Sequence, residues 1–589
     1  MFKTCSPYIK LLFEKDINWS LSLTPKLLDK AQREDKLIFL HIGYVSNIAI
    51  REASLALFSN KEVQTILNEN FIAIVEDKND RPESFLLALD LLFLNQDFSY
   101  GPMNIFIMPN RKPIIAFSDC DTEHFIELAN SLLLAKSEKR EKLEHLSDTL
   151  SERAIYTGVI SNVESESEIT HNILKKYLDI WFENMYINDF IYKLKPFTPN
   201  TSSLLTIIEY LYYNNDIKYL STIENILDHL QFSALFDPID GGFFEQATDY
   251  SCNHALYEKT LEVNSHFLLL YSIAYKLFGK ESYSKTAYLT YNYIIYELSN
   301  KKSGLINATT ITGKLEDVVY YLWSINELSI LFPERYIEIA IALGMDVTLN
   351  KKKKQLPIRS EETYTVISKD ELEMLKSRRK EHRGYFKDIR AISSSNAIAI
   401  SSLARASIYL EDSSLYKRAI DIFEFILTNN IDKTDNRLYR YTCFKENYLT
   451  GYLSDYAHFI EASIELYKVE EQKEYLIMAE KYCDFVIEKF YKPSNGMFSK
   501  SEKEINRAMD TVPFKRESNI DIIKPSANSI MAGNLLSLYE ITGNKRYLTI
   551  AVKQINNIVP NLLKSGPMLS SWAHKVLKLI YLNSGRGSK

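Results

Sequence analysis

Cysteine is scarce in this chain, and so are long apolar runs. The 589 residues include five cysteines, and no two of them have Cys-x-x-Cys spacing, which argues against a structural zinc site. No apolar segment follows the basic residues at the N-terminus, and no apolar run reaches ~18 residues. We therefore expect neither a signal peptide nor a membrane span, and a cytoplasmic protein.

Glycine and proline are also few, with 17 and 16 residues, while tyrosine and phenylalanine are abundant, with 39 and 30. This combination predicts helix-rich structure with little loop and much aromatic packing. The formal net charge of −6 gives no reason to expect nucleic acid as a partner. The length predicts more than one domain or a large toroid.

Residues 1–145 alternate between two periodicities. Short β-type runs lie at 36–42, 71–76 and 104–109, and helical stretches lie at 25–34, 48–69 and 82–95. Strands that alternate with helices predict a small α/β domain. A charged stretch at 136–145 and a polar stretch at 161–170 predict a helix end and a linker over 146–170.

Residues 171–589 show almost no strand signal and a recurring helical hairpin. In the segment 395–430, Ile400, Leu403, Ala404, Ser407 and Ile408 have helical spacing, and a second such series follows a polar turn.

A charged turn, a tyrosine and an alanine four residues later recur at 279–287, 471–479 and 543–551. Roughly six hairpins of ~60–70 residues predict an α/α toroid whose inner helices line a central funnel. The lysine run at 351–354 predicts an exposed insertion loop.

Several stretches resemble the spermatogenesis-associated, thioredoxin-like proteins, in which a thioredoxin-like domain is fused to a six-hairpin α/α barrel. They lie at 18–44, 67–83, 100–113, 237–264, 451–467 and 524–543. The resemblance covers nearly the whole chain in order. It implies a thioredoxin-like α/β domain followed by an (α/α)6 barrel of the six-hairpin glycosidase type.

The chain departs from this family where the family carries Cys-His-Trp-Cys. Asn47 and Ile50 occupy the cysteine positions, while Pro102 matches the proline that faces the motif. Thiol–disulfide exchange needs a thiolate and a resolving sulfur, and neither side chain supplies one. The resemblance therefore implies a degenerate redox position at Asn47, Ile50 and Pro102, without thiol catalysis.

The barrel part of the chain also departs from the family pattern. Glu258, Lys259 and Asn264 match the family pattern, but its neighbouring His and Asp are lost, and its Asp-Ala-Asp segment reads Thr310-Ile311-Thr312. The family's Asp-Asp-Lys reads Asp388-Ile389-Arg390, and its Trp-Asn reads Ser395-Asn396. The segments that stay close to the pattern are those of Asp455 and Tyr456 and of Ser526 and Asn528.

Barrels of this type often act on sugars through acid and base groups at the funnel mouth. The candidate catalytic residues are Glu258, Asp388 and Asp455. The candidate ligand-binding residues are Asp249, Lys259, Asn264, Asn396, Tyr456, Ser526 and Asn528.

Each candidate also has a structural interpretation. Glu258 and Lys259 neutralise one another, and Asp455 or Asn528 caps a helix. Asp521 is a further acid in a family-like segment. The histidines have no His-x-x-x-His spacing, so we expect no metal site and no cofactor.

We expect a divergent member of this family without thiol–disulfide activity, which binds a ligand or a protein through the barrel funnel. The alternative is a carbohydrate-active barrel enzyme, either a sugar epimerase or isomerase or a glycoside hydrolase. The expected partners are a sugar-like molecule in the barrel and a protein at the surface around Tyr44–Ile50 and Pro102. A third interpretation is recognition of extended peptide without thiol chemistry.

Overall fold

The computed structural model describes residues 4–45, 48–94, 101–158, 171–187, 197–214, 218–299, 304–311, 319–382, 384–443, 446–502, 519–521 and 524–584. The chain divides into two compact units. The first, here called the α/β unit, comprises Met1–Asn162 and Val486–Ser518, and the second, the helical unit, comprises Val163–Phe485 and Asn519–Lys589.

The elements up to residue 158 alternate between helix and strand, as predicted. They are α1 (Pro7–Phe13), α2 (Pro25–Arg33), β1 (Leu37–Gly43), α3 (Ile48–Ser59), α4 (Lys61–Asn70), β2 (Phe71–Asp77), α5 (Pro82–Leu94), β3 (Met103–Ile107), β4 (Pro113–Phe117), α6 (Thr122–Glu138) and α7 (Arg140–Gly158). The linker predicted over 146–170 is helical up to Gly158, since α7 continues to that residue.

The strands form one sheet in the order β2-β1-β3-β4. β1 is parallel to β2 and antiparallel to β3, and β3 is antiparallel to β4. Every residue of β1 and β2 is buried, which explains their nearly continuous apolar sequences. The three predicted strands are confirmed, and β4 is an addition to them.

Gly43 at the end of β1 lacks a side chain for a steric reason. A Cβ at this position would lie 2.3 Å from Oη of Tyr8. Tyr8 in turn hydrogen-bonds Nε2 of His41 at 2.6 Å. The absence of a side chain at Gly43 therefore allows the buried Tyr8 to cover the end of β1.

The elements from residue 171 onward are mostly long helices. They are α8 (His171–Ile187), α9 (Thr201–Asn214), α10 (Leu220–Gln231), β5 (Lys259–Thr260), α11 (Leu261–Phe278), α12 (Glu281–Tyr296), β6 (Ala308–Ile311), β7 (Trp323–Ser324), α13 (Ile325–Leu331), α14 (Tyr336–Ala342), β8 (Lys354–Gln355), α15 (Thr363–Val366), α16 (Lys369–Arg379), β9 (Tyr385–Asp388), β10 (Ala391–Ile392), α17 (Ser393–Tyr409), α18 (Ser413–Asn429), β11 (Tyr439–Cys443), β12 (Glu446–Thr450), α19 (Leu453–Glu470), α20 (Lys473–Phe490), β13 (Tyr491–Lys492), β14 (Met497–Phe498), α21 (Ala527–Thr542), α22 (Lys545–Ser565) and α23 (Ser570–Asn583).

Six of these helices form a closed ring. α9 packs against α11, α11 against α17, α17 against α19, α19 against α21, α21 against α23, and α23 against α9. Helices α10, α12, α18, α20 and α22 alternate with them along the chain, and α8 precedes α9. Because each intervening helix returns the chain, the six ring helices run in the same direction. The helical unit is therefore an (α/α)6 barrel, and the ring helices are its inner helices.

The hairpin predicted over 395–430 is confirmed as α17 and α18. Ile400, Leu403 and Ala404 are buried, but Ile408 is 53% exposed, so the apolar stripe ends before the last turn of α17. Tyr283, Tyr475 and Tyr547, which follow the recurring charged turns, are all buried near the starts of α12, α20 and α22.

An insertion between α12 and α17 carries a hydrophobic cluster built around Trp323, Leu328 and Leu375. Within it, Lys351, Lys352 and Lys353 are exposed, as the predicted insertion loop requires. Lys354 instead pairs with Glu327 at 2.5 Å.

The helices in the described ranges include none with the length and apolarity needed to cross a membrane.

Candidate functional site

The inner ring encloses a cavity of about 80 Å³. All six inner helices contribute side chains to its lining. Although the cavity lies within the barrel core, its lining is largely polar, and its charged or titratable residues are Glu209, His266, Arg405, His458, Glu461, His574 and Lys575.

The lining residues occupy different depths along the inner helices. Ser202 and Ser571 lie in the first turns of α9 and α23, whereas Glu209 lies seven residues further along α9. At a rise of 1.5 Å per residue, this separation corresponds to about 10 Å. The cavity therefore extends inward from the N-terminal ends of the inner helices, with Glu209, Glu461 and Arg405 further along their helices than Ser202 and Ser571 are along theirs.

His458 and Glu461 form an oriented pair on α19. They are three residues apart and share one face of the helix, and Nδ1 of His458 lies 3.1 Å from Oε2 of Glu461. The hydrogen bond from His458 helps to overcome the effect of burial, so the pKa of Glu461 falls to about 2 and its carboxylate is ionised.

This pairing determines the tautomer of His458, which is one of the residues that line the cavity. Because Nδ1 donates to Glu461, the neutral imidazole carries its proton on Nδ1 and an open lone pair on Nε2. The side chain is 2% exposed, and no atom of the described residues pairs with Nε2. His458 is thus a buried base in a polar cavity, oriented by a carboxylate.

Glu209 connects three inner helices. It accepts hydrogen bonds from Arg405 of α17 and from Nε2 of His574 of α23, the latter at 2.5 Å. Burial raises the pKa of a carboxyl group, but the positive charge of Arg405 and the hydrogen bonds from His574 and Arg405 hold the pKa of Glu209 well below its usual value. Nδ1 of His574 faces Nζ of Lys575 at 3.0 Å, which extends the network along the cavity wall.

Asp521 organises the edge of the cavity near Ser571. Its carboxylate accepts hydrogen bonds from the backbone N–H of Ser526 at 2.8 Å, and from the backbone N–H and hydroxyl of Ser571 at 2.7 and 2.5 Å. Burial raises its pKa to about 6 despite these bonds. Asp521 thereby ties the start of α21 to the start of α23.

Asp388, a predicted catalytic candidate, has a structural role. It is 1% exposed, and Arg390 donates to it through Nη2 at 2.6 Å and through Nε at 2.9 Å. Asn307 donates a further hydrogen bond at 2.9 Å. Its acceptor sites are therefore occupied within the β6–β9 region, and Asp388 is not among the residues that line the cavity.

Asp455 stabilises the start of α19 as its third residue, whereas the N-cap position that we predicted for it belongs to Tyr452. It accepts hydrogen bonds from the backbone N–H groups of Tyr452 and Ser394 at 2.9 and 3.1 Å, and Arg440 pairs with it at 2.6 Å. The residue is fully buried. A carboxylate held in this way stabilises the helix start and the packing of α17 against α19.

Lys259 has acidic partners beyond its sequence neighbour Glu258. Lys259 is fully buried and pairs with Asp237 at 2.6 Å, and Asp237 also binds Arg379 at 2.7 Å. Arg379 joins α16 to this cluster and contacts Asp240 as well. Glu258 is 4% exposed, and its backbone carbonyl accepts a hydrogen bond from Glu245. Neither residue lines the cavity.

Three predicted ligand-binding residues instead hold the backbone of the loops between hairpins. Asn264 exchanges two hydrogen bonds with the main chain of Phe243, and Asn396 exchanges two with the main chain of Leu305. Tyr456 accepts one from the backbone N–H of Leu438. Each is the fourth residue of its inner helix.

The other predicted ligand-binding residues also lie outside the cavity lining. Ser526 is the N-cap of α21 and accepts from the backbone N–H of Ser529. Asn528 accepts a hydrogen bond from Gln554 of α22 at 3.1 Å. Asp249 is exposed and binds Ser251 within its own turn.

The degenerate redox position is only partly described, since Asn47 lies outside the described residues. Ile50, Tyr44 and Pro102 are buried. Cys120 has a free thiol 3.9 Å from the hydroxyl of Ser54, and burial raises its pKa to about 12. The protein-contact role predicted for this region stays a prediction.

The residues that line the cavity were missed as candidates by sequence reasoning. The sequence signal that could have identified them was a charged or histidine side chain within an otherwise buried inner helix. Glu209 follows eight consecutive helical residues that carry no charge, and His458 and Glu461 interrupt the buried stretch of α19.

Comparisons with known proteins agree with the fold. Residues 1–154 match the model of a thioredoxin-like family described as "Protein of unknown function, DUF255". Spermatogenesis-associated protein 20 of Mus musculus is 22% identical over 92% of this chain and 76% of its own length. An uncharacterized protein of Caenorhabditis elegans is 23% identical over 92% of this chain and 80% of its own length. The resemblance to the spermatogenesis-associated, thioredoxin-like family is thereby confirmed.

Two solved structures are similar to this chain at low sequence identity. A D-mannose isomerase is 11% identical, with a TM-score of 0.47 over 71% of this chain and 100% of that chain. A cellobiose 2-epimerase from Spirochaeta thermophila is 12% identical, with a TM-score of 0.46 over 70% of this chain and 96% of that chain.

Proposed function

We propose that this chain, which resembles the spermatogenesis-associated, thioredoxin-like family along most of its length, binds a small polar ligand in the central cavity of its barrel and has no thiol–disulfide activity. The observation that carries the proposal is the imidazole of His458. A buried polar atom that lacks a partner costs free energy, and a ligand that donates a hydrogen bond to Nε2 removes that cost.

The side chains around His458 favour a hydroxylated ligand. Ser202, Thr206, Ser401, Ser402 and Ser571 line the same cavity. Hydroxyl groups both donate and accept hydrogen bonds, so they match the hydroxyl and carbonyl groups of a sugar-like molecule. Arg405 and Glu209 are already paired with each other, and that pairing fixes the deep wall of the cavity.

A thermal-shift screen against small polyols, hydroxyaldehydes and monosaccharides tests the proposal. A ligand at ten times its Kd stabilises the folded state by about 1.4 kcal/mol. We expect the shift to disappear in His458→Ala and to persist in the matched control His254→Ala, because His254 is exposed and lies outside the cavity lining. Binding that is equally strong in both variants contradicts the proposal, as does a screen with no stabilising compound.

The second candidate function is proton transfer on a carbohydrate, as in an epimerase or isomerase. The open lone pair of His458 supports it, since a base oriented by Glu461 removes a proton next to a carbonyl group. Glycoside hydrolysis is less well supported, because its general acid needs a raised pKa, and the pKa values of Glu209 and Glu461 are lowered. In deuterium oxide, an active wild-type protein incorporates deuterium next to the carbonyl of the bound sugar, and His458→Ala does not.

A further inference from the structure

We propose that Lys575 forms an imine with the carbonyl carbon of a small hydroxyaldehyde or hydroxyketone that enters the central cavity. This inference rests on the proposed function, because the ligand would occupy the same cavity. It adds a covalent step and names the chemical class of the ligand. The argument begins with the space that the fold reserves for this side chain.

Gly533 of α21 leaves room for the Lys575 side chain. A Cβ at Gly533 would lie 2.8 Å from Cε and 3.1 Å from Nζ of Lys575. A glycine inside a helix costs about 1 kcal/mol relative to alanine, so its presence here calls for a packing reason. The reason is that the lysine stem crosses α21 at this point, which holds the amine at the cavity wall.

The amine is buried and lies within a defined hydrogen-bond network. Lys575 is 7% exposed and lines the cavity, with Nζ 3.0 Å from Nδ1 of His574. His574 is itself fixed, since its Nε2–H donates to Glu209 at 2.5 Å. Nδ1 of a neutral His574 is therefore an acceptor, and it can take a proton from the ammonium group of Lys575.

The surroundings shift the protonation equilibrium of Lys575 toward the neutral amine. Burial lowers the pKa of Lys575, and the positive charge of Arg405 lowers it further, while Glu461, Glu209 and Glu465 act in the opposite direction. The net direction is downward. A lysine that is desolvated and placed near another cation is the type that attacks carbonyl groups as a nucleophile.

The reaction balances without an oxidant or a reductant. The Nζ lone pair attacks the carbonyl carbon, a C–N bond forms, and a proton moves from nitrogen to oxygen to give a carbinolamine. The C–O bond then breaks as the protonated hydroxyl leaves as water, and loss of the remaining N–H proton leaves a C=N bond. His574 and His458 are the acid–base groups of the cavity that are suited to these proton transfers.

The size of the cavity restricts the ligand. At about 80 Å³ it is roughly half the volume of a ~150 Å³ cavity that accommodates benzene. A hydroxyaldehyde or hydroxyketone of about two or three carbons fits this volume better than a hexose does. The serine and threonine hydroxyls of the wall would then bind its hydroxyl groups.

Reductive trapping tests the inference on the full chain. The protein is incubated with glycolaldehyde and sodium cyanoborohydride, and the sites of the reduced adduct are mapped by peptide mass spectrometry. We expect Lys575 to be modified at least ten times faster than the exposed Lys417 of α18. Labelling of Lys575 at or below the rate of Lys417 overturns the inference.

Two variants test the roles of the Lys575 amine and of the space at Gly533 separately. Lys575→Arg preserves the positive charge, cannot form the imine and should lose the adduct at this position. Gly533→Ala keeps the lysine but obstructs its slot, and should slow trapping at Lys575 while leaving trapping at Lys417 unchanged. Unchanged trapping in a folded Gly533→Ala protein contradicts the role of the slot.

Failure of the inference is distinguishable from failure of the proposed function. If glycolaldehyde or a polyol gives a thermal shift that depends on His458 but Lys575 is not trapped, ligand binding stands and the imine does not. If neither a shift nor an adduct is seen, both fail.

Discussion

At the residue scale, the partners of a side chain decide its role more than its residue type does. Asp388 and Asp455 are acids in family-like segments, yet Arg390 and Arg440 neutralise them and backbone N–H groups occupy their remaining acceptor sites. His458 is also buried, but only its Nδ1 is engaged among the described residues. The contacts therefore support proton transfer or ligand binding at His458 better than at Asp388 or Asp455.

His41 in the α/β unit gives a prediction about acid stability. It is fully buried, with Nε2 bonded to Tyr8 and Nδ1 bonded to Asn104 at 2.7 Å. Burial lowers its pKa from 6.5 to about 4. Because the unfolded chain takes up this proton at a higher pH than the folded one does, stability is present above pH 6.5 and is lost as pH falls toward 4. The expected loss between pH 7 and pH 5 is about 2 kcal/mol.

Hydrogen exchange of peptides from β1, corrected for the intrinsic rate at each pH, measures this loss. The variant His41→Gln keeps a donor and an acceptor but does not titrate, so it should lack this part of the pH dependence. An identical pH dependence in both proteins would show that another group is responsible.

At the element scale, three of the inner helices hold a neighbouring loop in the same way. The fourth residue of α11, α17 and α19 reaches the main chain of a loop residue, as Asn264, Asn396 and Tyr456 do. This contact also explains why residue 242 is a glycine. Gly242 has φ +77°, and a Cβ there would lie 2.8 Å from Oδ1 of Asn264. The loop thus comes close enough to its helix for the amide to bind it.

Removing one of these amides should destabilise the barrel. Asn396→Ala leaves the buried N–H and C=O of Leu305 without their partner. We expect a loss of about 2–4 kcal/mol in unfolding free energy, from unsatisfied groups at about 1–3 kcal/mol each. Urea denaturation followed by circular dichroism reports this change, since the helices dominate the signal.

Asn292→Ala, on the exposed face of α12, is the matched control for Asn396→Ala and should change stability by less than about 0.5 kcal/mol. A loss of that small size in Asn396→Ala would mean that the loop is held by other contacts.

At the scale of the whole molecule, the two units differ in the polar groups that they offer to a ligand. The helical unit has a polar cavity to which six helices contribute. In the α/β unit, Ile50 stands where a resolving sulfur is needed, and the thiol of Cys120 is held protonated at neutral pH by burial. The scaffold of a thioredoxin-like domain is kept there, but neither Ile50 nor Cys120 supplies the thiolate that exchange at this position needs.

We therefore expect the full chain to reduce insulin disulfides in the presence of dithiothreitol no faster than buffer does. Cys120→Ser should leave that background unchanged, because a buried thiol with a pKa of about 12 supplies almost no thiolate at neutral pH. A rate clearly above background that depends on a cysteine would contradict a non-redox α/β unit.

The sequence by itself determined the strands at 36–42, 71–76 and 104–109 and the hairpin of α17 and α18. Local periodicity encodes these elements, because burial of one face or of a whole strand leaves a regular apolar pattern. It also determined that Ile50 cannot act as a thiol, since that follows from residue type alone.

Only the tertiary structure decided which polar residues meet. Glu209, Arg405 and His574 are far apart in sequence, and closure of the ring brings them into contact. Asp388 looked like a catalytic acid until its buried partners Arg390 and Asn307 were known. Pairing across helices is a long-range property that no local pattern records. The candidate site that we propose therefore rests on the histidine and glutamates of the inner ring, a grouping that only the closed ring brings together.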